Sequence, residues 1–394
     1  MANNIPEVRF EEFSGEWEKR EIGDLANRYD NLRVPITAAS RVSGKTPYYG
    51  ANGIQGYVEG YTHNGEYILI AEDGASDLKN YPIQYVSGEI WVNNHAHVLQ
   101  GKQGISDNKF LMNAIRNTNI EPFLVGGGRA KLNAAVMMKI NLSFPLIEEQ
   151  SKIGDFFKQL DDTIALQQQE LDTLKQTKQG FLQKMFPKEG KTVPEVRFEG
   201  FSGEWKEQKI ENLVTSLDYG LNASAKSFDG ENKYIRITDI DESSHKFIQS
   251  SLTSPDINLE NANDYLLDEG DILFTRTGAS VGKTYCYNLI DGKVYYAGFL
   301  IRARLKAEYD SYFVFQNTLT NKYNKFIKIT SQRSGQPGVN AQEYGCFQLL
   351  LPSFEEQSKI GLFFKQLDDT IALHQQELEA LKETKQAFLQ KMFV

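Results

Sequence analysis

Apolar residues recur in steps of four and three along two stretches of the chain. Ile153, Phe157, Leu160, Ile164, Gln167, Leu171, Leu174, Lys178, Phe181 and Met185 form one seam. Ile360, Phe364, Leu367, Ile371, His374, Leu378, Leu381, Lys385, Phe388 and Met392 form the other. This is the period of an amphipathic helix with a coiled-coil seam. Pro145 and Pro352 stand at the starts, Ser353 with Glu356 reads as a capping box, and Pro187 and Gly190 close the first helix. At 1.5 Å per residue each helix is roughly 60 Å long. A lone helix of that length leaves its seam in water, so the spacing predicts that the two helices pair. Gln167 and His374 interrupt the seams at matching places, where polar residues commonly set register.

The seams belong to a duplication. PLIEEQSKIGDFFKQLDDTIALQQQELDTLKQTKQGFLQKMF at 145–186 returns at 352–393 with 34 of 42 positions identical. A shorter string, IPEVRFEEFSGEW at 5–17, returns as VPEVRFEGFSGEW at 193–205. The segments between these blocks, 18–144 and 206–351, differ almost completely, and the second is longer by 19 residues. A frame has been repeated while its inserts diverged. The first helix leaves the first insert and a short link starts the second. The second helix must therefore run back to bury its seam on the first, which predicts an antiparallel pair related by a pseudo-twofold axis with the inserts at opposite ends.

The inserts alternate as short strands ending in polar turns: GEYILIAEDGA, GEIWVNNHAHVL, NKYIRITDID, GDILFTRTGA and KVYYAGFLIRARL. The expected fold class is α+β, with two mixed α/β domains separated by the helix pair. The expected boundaries are 1–144 and 188–351 for the domains and 145–187 and 352–394 for the helices.

Composition narrows the function. The 394 residues carry 40% apolar and 12% aromatic side chains, enough for real cores and too much for a disordered chain. Two cysteines make no disulfide framework and suit a reducing cytoplasm. The N-terminal stretch lacks the apolar core of a signal peptide, and no apolar run reaches the ~20 residues of a membrane helix. A net charge of −9 argues against indiscriminate nucleic-acid binding, yet the charge is uneven. Residues 311–342 hold Lys322, Lys325, Lys328 and Arg333 and no acid; 292–307 hold Lys293, Arg302, Arg304 and Lys306 and no acid. Residues 95–146 carry six Lys and Arg against Asp107 and Glu121. Basic stretches interleaved with Asn, Gln and Tyr are what a groove-reading surface needs, although a solvated face would look the same.

Catalytic patterns fail in turn. GASVGKT at 278–284 lacks one residue of a phosphate-binding loop and is read as a hairpin turn bringing Lys283 to a phosphate. His95 and His97 alternate along a strand, but two ligands make no metal site. Glu72-Asp73-Gly74 reads as a turn after an apolar strand. There is no Gly-rich cofactor loop and no methyltransferase tetrapeptide.

The strings EEQSKIGDFFKQLDDTIALQQQELDTLKQ (148–176) and EEQSKIGLFFKQLDDTIALHQQELEALKE (355–383), alternating with such inserts, resemble the specificity subunits of type I restriction–modification systems. PYYGANGIQGYVEGY (47–61) with LIAEDGA (69–75) is similar to one class of target recognition domain, and GDILFTRTGASVGKT (270–284) to another. GRAKLNA (128–134) and GQPGVNA (335–341) align at the offset of the helices. The resemblance implies a non-catalytic subunit whose two recognition domains each read half of a bipartite, asymmetric site in double-stranded DNA. It further implies that the helices space these domains and dock two methyltransferase subunits, with restriction/translocase subunits joining them. The partners would use S-adenosylmethionine, ATP and Mg, and this chain no cofactor or metal. The candidates for DNA contact are Asn94, His95, Arg129, Lys131 and Asn133 in the first domain and Arg276, Lys283, Arg333, Gln336 and Asn340 in the second. A coiled-coil scaffold whose inserts bind proteins is the competing reading.

Overall fold

The structure, a computed structural model, describes residues 4–126, 130–332 and 335–394. The class is α+β: long helices at Ile147–Lys184 and Phe354–Met392 alternate with mixed α/β segments. The chain divides into two compact units, 1–169 with 376–394, and 170–375. Each unit thus takes one insert, the start of the helix that follows it, and the end of the other helix. Every seam position is buried or half-buried.

Within each unit the helix segments run antiparallel. In the first, Phe156 packs against Phe388 with ring centroids 5.1 Å apart, and Asp161 pairs with Lys385. In the second, Phe363 packs against Phe181 at 5.0 Å, and Asp368 pairs with Lys178 at 2.6 Å. Partner numbers fall as residue numbers rise, and the two sets are equivalent in the repeat. Lys178 and Lys385, the two charged members of the seams, therefore each meet a carboxylate. A slip of one turn would strand both lysines against apolar side chains, so these half-buried pairs add register information to that expected of Gln167 and His374.

The capping box forms only in half. Glu356 N–H donates to Ser353 Oγ at 3.4 Å, but the Glu356 carboxylate is taken by Arg197. Arg197 Nε and Nη2 each lie 2.6 Å from one of its oxygens. Arg9 clamps Glu149 identically, with both contacts at 2.7 Å. This explains the PEVRF…FSGEW repeat: its arginine ties the segment to a long helix, and the same guanidinium caps the carbonyls of Ser14 and Gly15, or Ser202 and Gly203.

Each insert enters and leaves through a two-stranded antiparallel ribbon: Glu18–Glu21 with Asn141–Phe144, and Lys206–Lys209 with Gln348–Leu351. Each also docks on the frame through one aromatic knot. Trp17, Phe110, Phe157 and Phe393 make it in the first unit; Trp205, Phe313, Phe364 and Phe186 make it in the second. The helices carrying Phe110 and Phe313 are N-capped by Asp107 and Asp310. Those caps press on Gly154 and Gly361 of the long helices, where an added Cβ would fall under 3 Å from the carboxylate. The two positions admit glycine for that reason.

Inside the inserts the sheets share a plan that the sequences conceal. In the first, the order begins Ala26–Arg28, Ala96–Gly101, His63–Ala71, continuing through Ile83–Val92, Ser43–Gly50 and Gly53–Val58. In the second it is Val214–Tyr219, Leu300–Leu305, Ile272–Thr275, then Thr284–Cys286. Each insert also has a parallel strand pair, with Tyr48 opposite Trp91 and Tyr234 opposite Tyr295. Tyr48 and Tyr234 are both 1% exposed, and each hydroxyl bonds nearby main chain. The sequence reading places the inserts in different classes; the backbone register gives them one scaffold.

Buried His63 and half-buried His245 make stability pH-dependent. Burial pushes His63, in the first unit, and His245, in the second, below the ordinary value of 6.5. Unfolded chains take up these protons near pH 6.5 while the folded protein does not, so stability falls as pH drops below that value. Thermal midpoints measured from pH 7.5 to 5.5 should decline, and His63→Gln with His245→Gln should flatten the decline.

Candidate nucleic-acid interface

The central strand of each sheet ends in a polar turn, and two further loops converge on it. In the first domain, Ala71 pairs with Ala96, and Glu72 N–H then donates to the His95 carbonyl at 2.8 Å. Leu132 N–H donates to the Glu72 carbonyl at 2.8 Å, and Asp73 bridges to Lys131. Asn52, from the 50–53 turn, donates to Gly74 O and accepts from Ser76 N–H. The side chains follow: His95 Nδ1 lies 2.5 Å from Asp73 Oδ1, Lys131 Nζ lies 2.8 Å from Glu72 Oε1, and Asn94 and Asn133 are exposed.

Behind this edge lies a charge network that the sequence did not announce. His97 sits on the strand, 1% exposed, while His95 sits in the turn before it, so the two do not share a face as alternation suggests. His97 Nδ1 meets Asp30 Oδ2 at 2.7 Å and Nε2 meets the Leu132 carbonyl at 2.8 Å. The ring is thus held between two oxygens. Asp30, Glu72 and His97 lie close enough to ligate a metal. Their carboxylate oxygens are instead occupied by Val98 N–H, His97, Arg33 and Lys131, an arrangement of compensated charges. Burial alone would raise the Glu72 carboxyl, but hydrogen bonds from Lys131 and Arg33 outweigh it and hold it below the usual range.

The second domain repeats the backbone and changes the chemistry. Arg276 N–H donates to Phe299 O at 3.1 Å, Val339 N–H donates to Arg276 O at 2.9 Å, and Thr277 bridges to Gly338. LIAEDGA (69–75) and LFTRTGA (273–279) therefore occupy one register, with Arg276 where the first domain has Glu72 and Phe299 where it has His95. The Arg276 guanidinium lies 4.9 Å above the Tyr219 ring and reaches Gly298 O at 3.5 Å. Gln336 is exposed, its amide 3.0 Å from where a Cβ on Gly278 would stand.

Asn94, His95, Lys131 and Asn133 are thus brought to one edge, and Arg276, Gln336 and Asn340 to the equivalent edge of the second domain. Asn340 also caps the helix Ala341–Gly345 in a reciprocal box with Glu343. Lys283 lies in the predicted hairpin, but its amine donates to Ile240 O at 2.8 Å. Arg129 and Arg333 lie outside the described residues. Asn52, Asp73 and Phe299 in loops and Tyr219 at a strand end belong to the same edges and were missed. A signal existed: each stands in or beside a polar turn that follows an apolar strand.

The same two-part organisation is found in known proteins. The pattern of the type I restriction modification DNA specificity domain matches residues 14–176 and again 203–383. The chain belongs to this family. A Haemophilus influenzae protein named as a type I restriction enzyme specificity subunit is 48% identical over 138 residues, 35% of each chain. The Escherichia coli EcoprrI specificity subunit is 27% identical over 115 residues, 29% of this chain and 28% of its own. The chain spans about a third of the length of the curated relatives it matches. The fold is that of the type I S subunit from M. genitalium, with a TM-score of 0.75 over 99% of both chains at 15% identity. The two matched ranges fall one on each copy of the repeated frame with its insert. Among the described residues no helix is long and apolar enough to cross a membrane.

Proposed function

We propose that this chain is the sequence-reading subunit of a type I restriction–modification complex. The observation that carries the reading is the pair of equivalent edges: one backbone register, two different sets of side chains. Asn94, His95, Lys131 and Asn133 read one half of an asymmetric site in double-stranded DNA; Arg276, Gln336 and Asn340 read the other, with Arg129 and Arg333 in support. Arg is suited to guanine O6 and N7, and Asn and Gln to adenine N6 and N7. Two unlike inserts on a doubled frame suit an asymmetric site, whereas two identical readers would demand a palindrome. The helix pair sets the gap between half-sites and docks two methyltransferase subunits; restriction/translocase subunits complete the complex. Methylation and cleavage, with their S-adenosylmethionine, ATP and Mg, belong to those partners.

Two substitutions test the assignment. Lys131 is shared with Glu72, and a phosphate contact exchanges one anionic partner for another. Lys131→Ala is expected to weaken binding to all sequences alike and to lower the salt slope by about one charge. Arg276→Ala is expected to cost about 1–3 kcal/mol on cognate duplex and to relax one position of one half-site. Each is measured on the subunit assembled with its methyltransferase subunits, titrated against cognate and mismatched duplexes at two salt concentrations. Unchanged affinity, specificity and slope in both variants would place the DNA surface elsewhere.

A further inference from the structure

The geometry points to Phe299 as a specificity-determining residue of the second recognition domain, whose ring meets the C5 methyl of a thymine in the major groove. This deepens the DNA-reading role proposed above and rests on it. Phe299 is 58% exposed, while Ala297 and Leu300 beside it are 6% and 0% exposed. The strand partner of Thr275 is Leu300, so the next facing pair is Arg276 and Phe299. Facing residues of an antiparallel pair project to the same side of the sheet. Arg276 is already oriented there by Tyr219 and Gly298. An apolar ring and a guanidinium thus stand side by side at the end of the central strand.

The first insert places a different ring at the equivalent position. The residue equivalent to Phe299 is His95, a polar ring held by Asp73 at 2.5 Å. A position kept for packing would be apolar and buried in both domains. Here it is at the surface in both, and its chemistry changes from hydrogen bonding to apolar. Thymine is the base that offers an apolar group in the major groove. The second half-site therefore contains a thymine read by Phe299 in addition to a guanine read by Arg276.

The test uses the subunit assembled with its methyltransferase subunits and duplexes carrying the bipartite site read from its methylation pattern. Each thymine of the second half-site is replaced in turn by uracil, which removes only the methyl. One replacement should weaken wild-type binding by about fourfold, the worth of one apolar carbon. Phe299→Ala should weaken binding to the thymine duplex on the order of tenfold and abolish the difference between thymine and uracil at that position. Phe299→Leu should retain part of that difference, and thermal midpoints should match the wild type. If Phe299→Ala keeps the wild-type response to every uracil, the inference is overturned while DNA reading stands. An equal loss on thymine and uracil duplexes would mark a stacking wedge and overturn it too. A wild-type complex without sequence-specific binding would overturn the underlying reading and the inference with it.

Discussion

Replacing Glu356 with alanine is expected to destabilise the protein by about 3–5 kcal/mol, the range for breaking one partner out of a buried ion pair. The Glu356 side chain is 1% exposed and that of Arg197 is 14% exposed. Two short contacts join them, and Arg197 also holds the carbonyls of Ser202 and Gly203. Alanine would leave a guanidinium with little water and without its anion, and would release the 193–205 segment from the helix it clamps. Glu149→Ala should do the same to Arg9 in the first unit, where the side chains are 2% and 13% exposed. The exposed pair Lys158 and Asp162 on one helix face supplies the contrast, since breaking it should change stability by less than about 1 kcal/mol. Urea denaturation of the full chain measures all three. Equal midpoints for Glu356→Ala and Asp162→Ala would show that the clamp is not structural.

The long helices are legible in the sequence because an apolar seam of fixed period needs no knowledge of what lies opposite. Their antiparallel pairing is legible because the connection leaves no other way to bury the seam. The clamp is not legible: Arg9 and Glu149 stand 140 positions apart, and nothing local distinguishes them from solvated charges. The common scaffold of the inserts is hidden for a different reason. LIAEDGA and LFTRTGA share only Leu, Gly and Ala, and backbone hydrogen bonds, blind to side chains, fix the register. Gly74 and Gly278 mark it, with φ of +68° and +75°, values that favour glycine. Of the candidate edges, residue types are visible in the sequence and the groups that hold them are not. Lys131 is held by Glu72, and Lys283 is turned to Ile240. Phe299 escaped notice because an apolar residue beside a strand reads as core.

Exchanging residues 206–351 for the insert of another family member should change one half of the recognised sequence and leave the other intact. The stems make the exchange physically reasonable. Lys206–Lys209 and Gln348–Leu351 lie side by side in one ribbon, so a foreign insert need only close the same ribbon. The frame contacts to be matched include an aromatic in place of Phe313, packed with Phe364 and Phe186, a capping Asp against Gly361, and the hydrogen bonds of Tyr312 and Gln316 to Asp368. On the proposed reading the helices that dock the methyltransferase subunits are untouched, so methylation is expected to continue at a new site. The direct measurement is sequencing of methylated adenines in cells carrying the exchanged subunit with its unaltered methyltransferase. The expected result is a bipartite motif whose first half and gap are those of the parent and whose second half is new. A parental motif, or one changed in both halves, would contradict it.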